Sequence, residues 1–325
     1  MKLVKTSTAI GLALAAQLAS AQAWPARSLT WVVPFAAGGP TDAMARDIAD
    51  KVSRQIGQPI IIENAAGAGG TIGSAKVAKA QPDGYTFLVG HMGYMGAGPA
   101  LYKKLAYDPV KSFDAVFRFP DTPLVMLVGT NSRFKSVTDL IAEAKAKPGT
   151  VNFGNAGVGS TSHLIAALFE AKAGINVQSV SYKGAAPALN DLIGGQVDAM
   201  FDQSNTALPQ VQGGRLRAIA LTSLTPMPQQ FPGVAPLAEK ALPGFEAATW
   251  YGLYAPAGTQ KDVVQKMHQA YMKALSDKAW TTKMSSLGIQ LLSDAQYSPD
   301  AFAKHTAAEV EKWRKVVSDA KISIE

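Results

Sequence analysis

The stretch Leu29-Thr30-Trp31-Val32-Val33-Pro34-Phe35-Ala36-Ala37-Gly38-Gly39-Pro40-Thr41-Asp42 decides the fold. A short β-type run ends in small residues. A helix-type pattern then begins at Thr41, with Ala45, Ile48, Ala49, Val52 and Ile56 on one face. The same order returns where Val151-Asn152-Phe153 leads through Asn155-Ala156-Gly157-Val158-Gly159-Ser160-Thr161-Ser162 into a helix-type pattern that runs to Lys172. A strand that ends in small residues just before a helix leaves backbone N–H groups and the positive end of a helix dipole facing one space. Two such loops, in different thirds of the chain, predict a clamp for a small carboxylate.

Outward from these loops, strand and helix patterns alternate, which predicts an α/β architecture with largely parallel sheets. Strands are predicted over 28–33, 59–62, 86–90, 124–128, 151–153, 177–181, 197–201, 218–221 and 249–254. Helices are predicted over 41–56, 71–80, 136–147, 160–172, 185–193, 261–275 and 299–318, and 224–244 reads as Pro-rich and irregular. The simplest assembly has two lobes. Residues 24–123 and 249–325 form lobe I, 124–248 form lobe II, and the crossings near Phe119–Pro123 and Glu246–Thr249 act as a hinge. Ligands of open α/β sheets sit at the carboxyl ends of strands, where both Gly-rich loops lie.

With 325 residues, 47% of them hydrophobic, the chain supports roughly two domains with their own cores. Residues 1–23 read as a secretory signal peptide: Lys2 and Lys5, an apolar stretch from Ala9 to Ala19, and Ala21-Gln22-Ala23 as the cleavage site. That stretch is shorter than the about 20 residues a membrane-spanning helix needs. The mature chain is therefore expected to start near Trp24 and to be soluble and exported. There is no cysteine, which excludes thiolate nucleophiles, Cys-based zinc sites and iron–sulfur clusters. Loss of Lys2 and Lys5 lowers the formal charge from +7 to +5, and the basic residues are scattered rather than interleaved with aromatics. No nucleic-acid partner is expected.

The motifs together resemble one family, the Bug-type periplasmic solute-binding receptors of tripartite tricarboxylate transporters. The stretches that carry the resemblance are Val32 to Gly39 with Asp42 and Ala45-Arg46, Glu63-Asn64 with Gly67-Ala68-Gly69-Gly70-Thr71-Ile72-Gly73, and Pro82-Asp83-Gly84-Tyr85-Thr86. Asn152-Phe153-Gly154, Gly159-Ser160, His163-Leu164, Tyr182 to Ala188, Gly194 to Asp198, Trp250 to Leu253 and Ala255 to Thr259 extend it over essentially the whole mature chain. The resemblance implies a two-lobe, Venus-flytrap periplasmic binding protein that is not an enzyme. It implies a ligand carboxylate held by Phe35–Asp42 and Asn155–Ser162, through backbone groups and bridging waters. It places variable pocket residues at His91–Met95 and around Asp202, the latter a position able to meet a cationic ligand group. It also implies delivery to membrane permease subunits or a sensor ectodomain. The chain departs from the family in reading His91-Met92-Gly93-Tyr94-Met95 after its third strand, where small hydroxyl residues are usual, and in having Arg118 and Ala65.

The expected ligand contacts are Phe35, Gly38, Gly39, Thr41, Asp42, Asn155, Gly159, Ser160 and Thr161, with Met92 and Asp202 shaping selectivity. Met92 and Tyr94 suit a flat or apolar ligand body, and Arg118 either binds a second carboxylate or forms a hinge salt bridge. An aromatic or dicarboxylic acid is favoured. The alternative is an exported hydrolase using Ser160 and His163, although no G-x-S-x-G elbow surrounds that serine. Gly67–Gly70 lacks the spacing of a dinucleotide fingerprint and reads as a structural turn. His91, His163, His268 and His305 are never i,i+4, so neither metal nor cofactor is expected. A monomer is expected.

Overall fold

A computed structural model describes residues 24–319 and 322; the signal-peptide reading lies outside the described residues. The first sheet has the order β2-β1-β3-β11-β4, from β1 (Leu29–Val33), β2 (Ile60–Asn64), β3 (Thr86–His91), β4 (Phe113–Arg118) and β11 (Tyr251–Pro256). The second has the order β10-β5-β8-β6-β7, with β9 also on β5. Its strands are β5 (Thr122–Gly129), β6 (Asn152–Asn155), β7 (Gln178–Ser181), β8 (Ala199–Gln203), β9 (Leu216–Leu221) and β10 (Ala248–Thr249).

Each sheet has a parallel part, β2-β1-β3 in one and β8-β6-β7 in the other. Strands β11 and β5 run antiparallel to their neighbours, so both sheets are mixed rather than mostly parallel. These are the strands on which the chain enters each sheet from the other, β4 leading into β5 and β10 into β11. The two crossings lie side by side, because β10 pairs with the start of β5 at Ala248↔Pro123 and Thr249↔Thr122. Thr122, Pro123 and Thr249, expected with the first lobe, are thereby paired into the second sheet.

Local sequence accounts for the helices that matter to the cleft. Helix α1 (Pro40–Ile56) starts with proline at its first position, buries Met44, Ala45, Ile48, Ala49 and Val52 along one stripe, and ends at Gly57 with φ 71°. Helix α2 (Thr71–Ala78) follows the Gly67–Gly70 turn. After β3 the chain makes a π-type turn over Met92–Ala97 and a short α3 (Gly98–Leu101), neither expected from the sequence. Helix α4 (Val137–Ala146) carries a capping box at Ser136 and Asp139. Helix α5 (Thr161–Ala173) is capped by Ser160, whose side chain accepts from the His163 amide, and ends at Gly174 with φ 61°. Helix α6 (Ala185–Ile193) follows Gly184, and α7 (Ser204–Gln212), with Pro209 inside it, was also hidden from periodicity. The short α8 (Leu237–Lys240) precedes β10, and α9 (Lys261–Leu275), α10 (Lys278–Ser286) and α11 (Pro299–Asp319) complete the first lobe.

Trp31, Phe87, Phe117, Phe119, Tyr254 and Tyr271 are fully buried in the core of the first lobe; Phe153, Phe169 and Phe201 fill that of the second. No helix among the described residues is long and apolar enough to cross a membrane.

Candidate functional site

Three helix N-termini converge on the space between the sheets. Gly39, Pro40 and Thr41 at the start of α1, Ser160, Thr161 and Ser162 at the start of α5, and Ala185 at the start of α6 all line one cavity of about 10 Å³. Phe35, His91, Ala156 and Gln203 complete its wall. No Lys, Arg, Asp or Glu is among these residues. The positive potential of the site therefore comes from first-turn N–H groups and helix dipoles, each about 0.3–1 kcal/mol toward an anion.

The loops are held by hydrogen bonds between side chains and their own backbone. The Asp42 carboxylate accepts from Gly38 N at 2.9 Å, Arg46 Nε at 2.9 Å and Asn64 Nδ2 at 2.9 Å, and Asn64 also donates to Phe35 O at 3.0 Å. Burial pushes the Asp42 carboxyl up, but the bonds from Arg46, Gly38 and Asn64 outweigh it and leave the group below its ordinary pKa. In the second loop Asn155 Oδ1 accepts from Gly157 N at 2.9 Å, Asn155 Nδ2 donates to Ser179 Oγ at 2.9 Å, and Ser162 Oγ accepts from Ala156 N at 2.9 Å.

Phe35, Gly39, Thr41, Ser160 and Thr161, all expected at the clamp, thus line the cavity. Asp42 and Asn155 brace the loops, while Gly38 and Gly159 give them the left-handed turns their positive φ values require, at 82° and 79°. Met92 is buried behind the cavity with its amide on Trp250 O, and Tyr94 backs the ring of His91. Asp202 lies beneath the floor, fully buried. Its Oδ2 accepts from Thr206 Oγ1 at 2.6 Å, its Oδ1 has no partner, and burial raises its pKa to about 7. Tyr251, whose hydroxyl is also unpartnered, lies near enough for the Asp202 charge to raise its pKa further after burial.

Sequence reasoning gave His91 and the surroundings of Asp202, where Gln203 stands, as variable pocket residues rather than clamp contacts, and it left out the α6 terminus, which nothing local marks. Arg118 is not at the cavity: its Nη2 lies 2.7 Å from both oxygens of Asp121, in the first crossing. Ser160 Oγ meets Ser162 Oγ at 3.1 Å and the His163 amide at 3.4 Å, whereas His163 Nδ1 accepts from Gly159 N at 3.3 Å. The serine is a helix cap, and the imidazole does not touch its hydroxyl. Among the described residues no group of His, Asp and Glu could hold a metal ion.

Few polar contacts join the lobes across the cleft. His91 Nε2 lies 3.0 Å from Thr161 Oγ1, and Ala36 N donates to Lys183 O at 3.3 Å. The Tyr102 hydroxyl lies 3.1 Å from Ala68 O in its own lobe and 3.0 Å from Val158 O in the other, with one proton for two carbonyls. Asn205 Nδ2 donates to Pro40 O at 3.5 Å and Gln230 Nε2 to Ser285 O at 3.1 Å. In two places the seam brings a glycine against a backbone carbonyl of the other lobe. A Cβ at Gly93 would stand 2.6 Å from Gly159 O, and one at Gly69 would stand 2.0 Å from Val158 O.

The family model for the tripartite tricarboxylate transporter family receptor matches residues 44–322. The periplasmic binding protein BugD superposes with a TM-score of 0.88 at 36% identity, covering 92% of this chain and 99% of BugD. MatC from Rhodopseudomonas palustris, solved with bound malate, is 37% identical with a TM-score of 0.86, over 90% of this chain and 100% of MatC. A further R. palustris protein, solved with adipate, is 34% identical with a TM-score of 0.87, over 92% of this chain and 99% of its own.

Proposed function

This chain belongs to the tripartite tricarboxylate transporter receptor family, and we propose that it is a periplasmic receptor that captures a small organic carboxylate by closing its two lobes over it. The observation that carries this reading is the convergence of three helix N-termini, from both lobes, on a cavity walled without charged side chains. Such a site suits an anion met by backbone N–H groups rather than by an arginine. A space of about 10 Å³ holds about one water, so an acid enters only when the lobes part. Ligand then favours the closed state by touching both lobes, a population shift set by its preference for that state.

In this reading lobe I is 24–123 with 249–325, lobe II is 124–248, and the crossings near Phe119–Pro123 and Glu246–Thr249, which pair through Ala248↔Pro123 and Thr249↔Thr122, are the hinge. The rings of Phe35 and His91 in the wall, and the malate and adipate bound by relatives, support an aromatic or dicarboxylic acid. Closure presents both lobes to membrane permease subunits or to a sensor ectodomain.

The test is a thermal-shift screen of the chain from Trp24 onward, after unfolding and refolding, against mono-, di- and tricarboxylates, aromatic acids and amino acids. An acid at about 100 times its dissociation constant adds roughly 2.7 kcal/mol of stability and moves the midpoint by several degrees. No shift with any acid would refute the carboxylate reading.

A further inference from the structure

The wall contains one side chain whose hydrogen-bonding direction is fixed by the fold. His91 ends β3 and is 2% exposed. Its Nδ1 accepts the Gly93 N–H at 2.9 Å, so in the neutral ring the proton is on Nε2. Nε2 faces Thr161 Oγ1 at 3.0 Å, across the cleft and in the other lobe. The ring cannot turn away. It is stacked on Tyr94 at 4.9 Å and 9°, with Phe35 at 5.1 Å and Tyr251 at 5.6 Å on its other sides.

We propose that His91 makes the cleft selective for acids that carry a second acceptor group, by holding an imidazole Nε2–H toward the ligand. The proposal rests on the carboxylate-receptor reading above. His91 and Thr161 both line a cavity too small for any acid, so a bound acid comes between them. The Thr161 hydroxyl can rotate to another acceptor, but the locked imidazole needs one supplied by the ligand. An acid anchored by one carboxylate at the helix N-termini and offering a second carboxylate, carbonyl or hydroxyl oxygen to Nε2 satisfies it. An acid that offers a methyl group there leaves a buried donor unmade. The ring stays neutral: burial takes its pKa down to about 3, and the groups against it, Phe35, Tyr94, Tyr251 and Thr161, bring no charge to reverse that. His91 is thus a donor that pH does not switch.

The experiment is calorimetric titration with acids matched in length, succinate against butyrate and terephthalate against p-toluate. It is run on the wild-type chain, on His91→Phe, which keeps a ring without the donor, and on His91→Gln, which restores an N–H. The diacid of at least one pair is expected to bind wild type roughly 5- to 150-fold more tightly than its partner. That ratio collapses in His91→Phe and largely returns in His91→Gln. Imidazole 15N resonances of the wild-type chain should show Nε2 protonated and Nδ1 bare from about pH 5 to about pH 8. Preference surviving in His91→Phe, a protonated Nδ1, or titration in that range each overturns the proposal while leaving the receptor reading intact. Failure of wild type to bind any of these acids overturns the proposal, and failure across the whole thermal-shift panel as well overturns the receptor reading too.

Discussion

Replacing Asp202 by Asn should remove a pH dependence that a single buried carboxyl imposes on the stability of this receptor. Asp202 is fully buried, with one oxygen held by Thr206 and the other without a partner, and no cation touches it. Burial disfavours its charged form, so its pKa stands at about 7 against 3.8 for an ordinary aspartate. Between those two values folding takes up a proton. Stability therefore falls as pH rises through the window, is untouched by this group below about 4, and carries the full cost above about 7. Each pH unit between the two values is worth about 1.4 kcal/mol, so the full cost is on the order of 4 kcal/mol.

Asparagine keeps an oxygen for the Thr206 hydroxyl and puts an uncharged NH2 where the unpaired oxygen stands. Urea denaturation followed by tryptophan fluorescence, at intervals between about pH 4 and about pH 8, measures both chains. Every other titrating group is shared, so the difference between the two curves isolates Asp202. The variant should match wild type near pH 4 and exceed it by a few kcal/mol at pH 8. Parallel curves across the range would refute the reasoning, because a carboxyl whose removal leaves the slope unchanged is not buried without compensation.

Tyr102→Phe deletes the hydroxyl that lies between Ala68 O and Val158 O, so ligand affinity should weaken about 2- to 12-fold, mostly through faster dissociation in stopped flow, with little change in the ligand-free melting point. Gly93→Ala places a methyl group 2.6 Å from Gly159 O across the seam. Overpacking of about 1–3 kcal/mol should cost the closed state roughly 5- to 150-fold in affinity, and small-angle scattering with ligand should report a more open particle; equal affinity would show that the lobes do not meet there. Asp121→Asn leaves the buried Arg118 guanidinium without its carboxylate and should destabilise the fold by about 3–5 kcal/mol in denaturation, while a titration finds selectivity unchanged because Arg118 faces away from the cavity.

How much of this was legible in the chain differs from residue to residue. The segments β1–α1 and β6–α5 could be read directly, because strand, small-residue loop, cap and amphipathic stripe are written within a few tens of consecutive residues. The family resemblance rested on such local motifs, and the family model agrees with it. Gly39, Thr41, Ser160 and Thr161 were legible for the same reason. The turn over Met92–Ala97 and helix α7 were not, since Gly-rich and Pro-containing stretches give no period to count, and strand β4, Phe113–Arg118, was not because its six residues do not alternate cleanly between apolar and polar.

The sequence by itself determined the two-lobe α/β class, two of the three helix ends that line the cavity, and the absence of any thiol chemistry. Only the tertiary structure decided which side chains face the cavity. It turned Asp42 and Asn155 into braces, paired Arg118 with Asp121, sank Asp202 beneath the floor and left its pKa high, and brought the α6 terminus to the site. Above all it set His91 against Thr161, 70 positions away along the chain. The physical reason is the range of the interactions. Helix starts and turns are fixed by hydrogen bonds between near neighbours, whereas the direction of a buried polar group is fixed by whatever distant segment the sheet order lays against it.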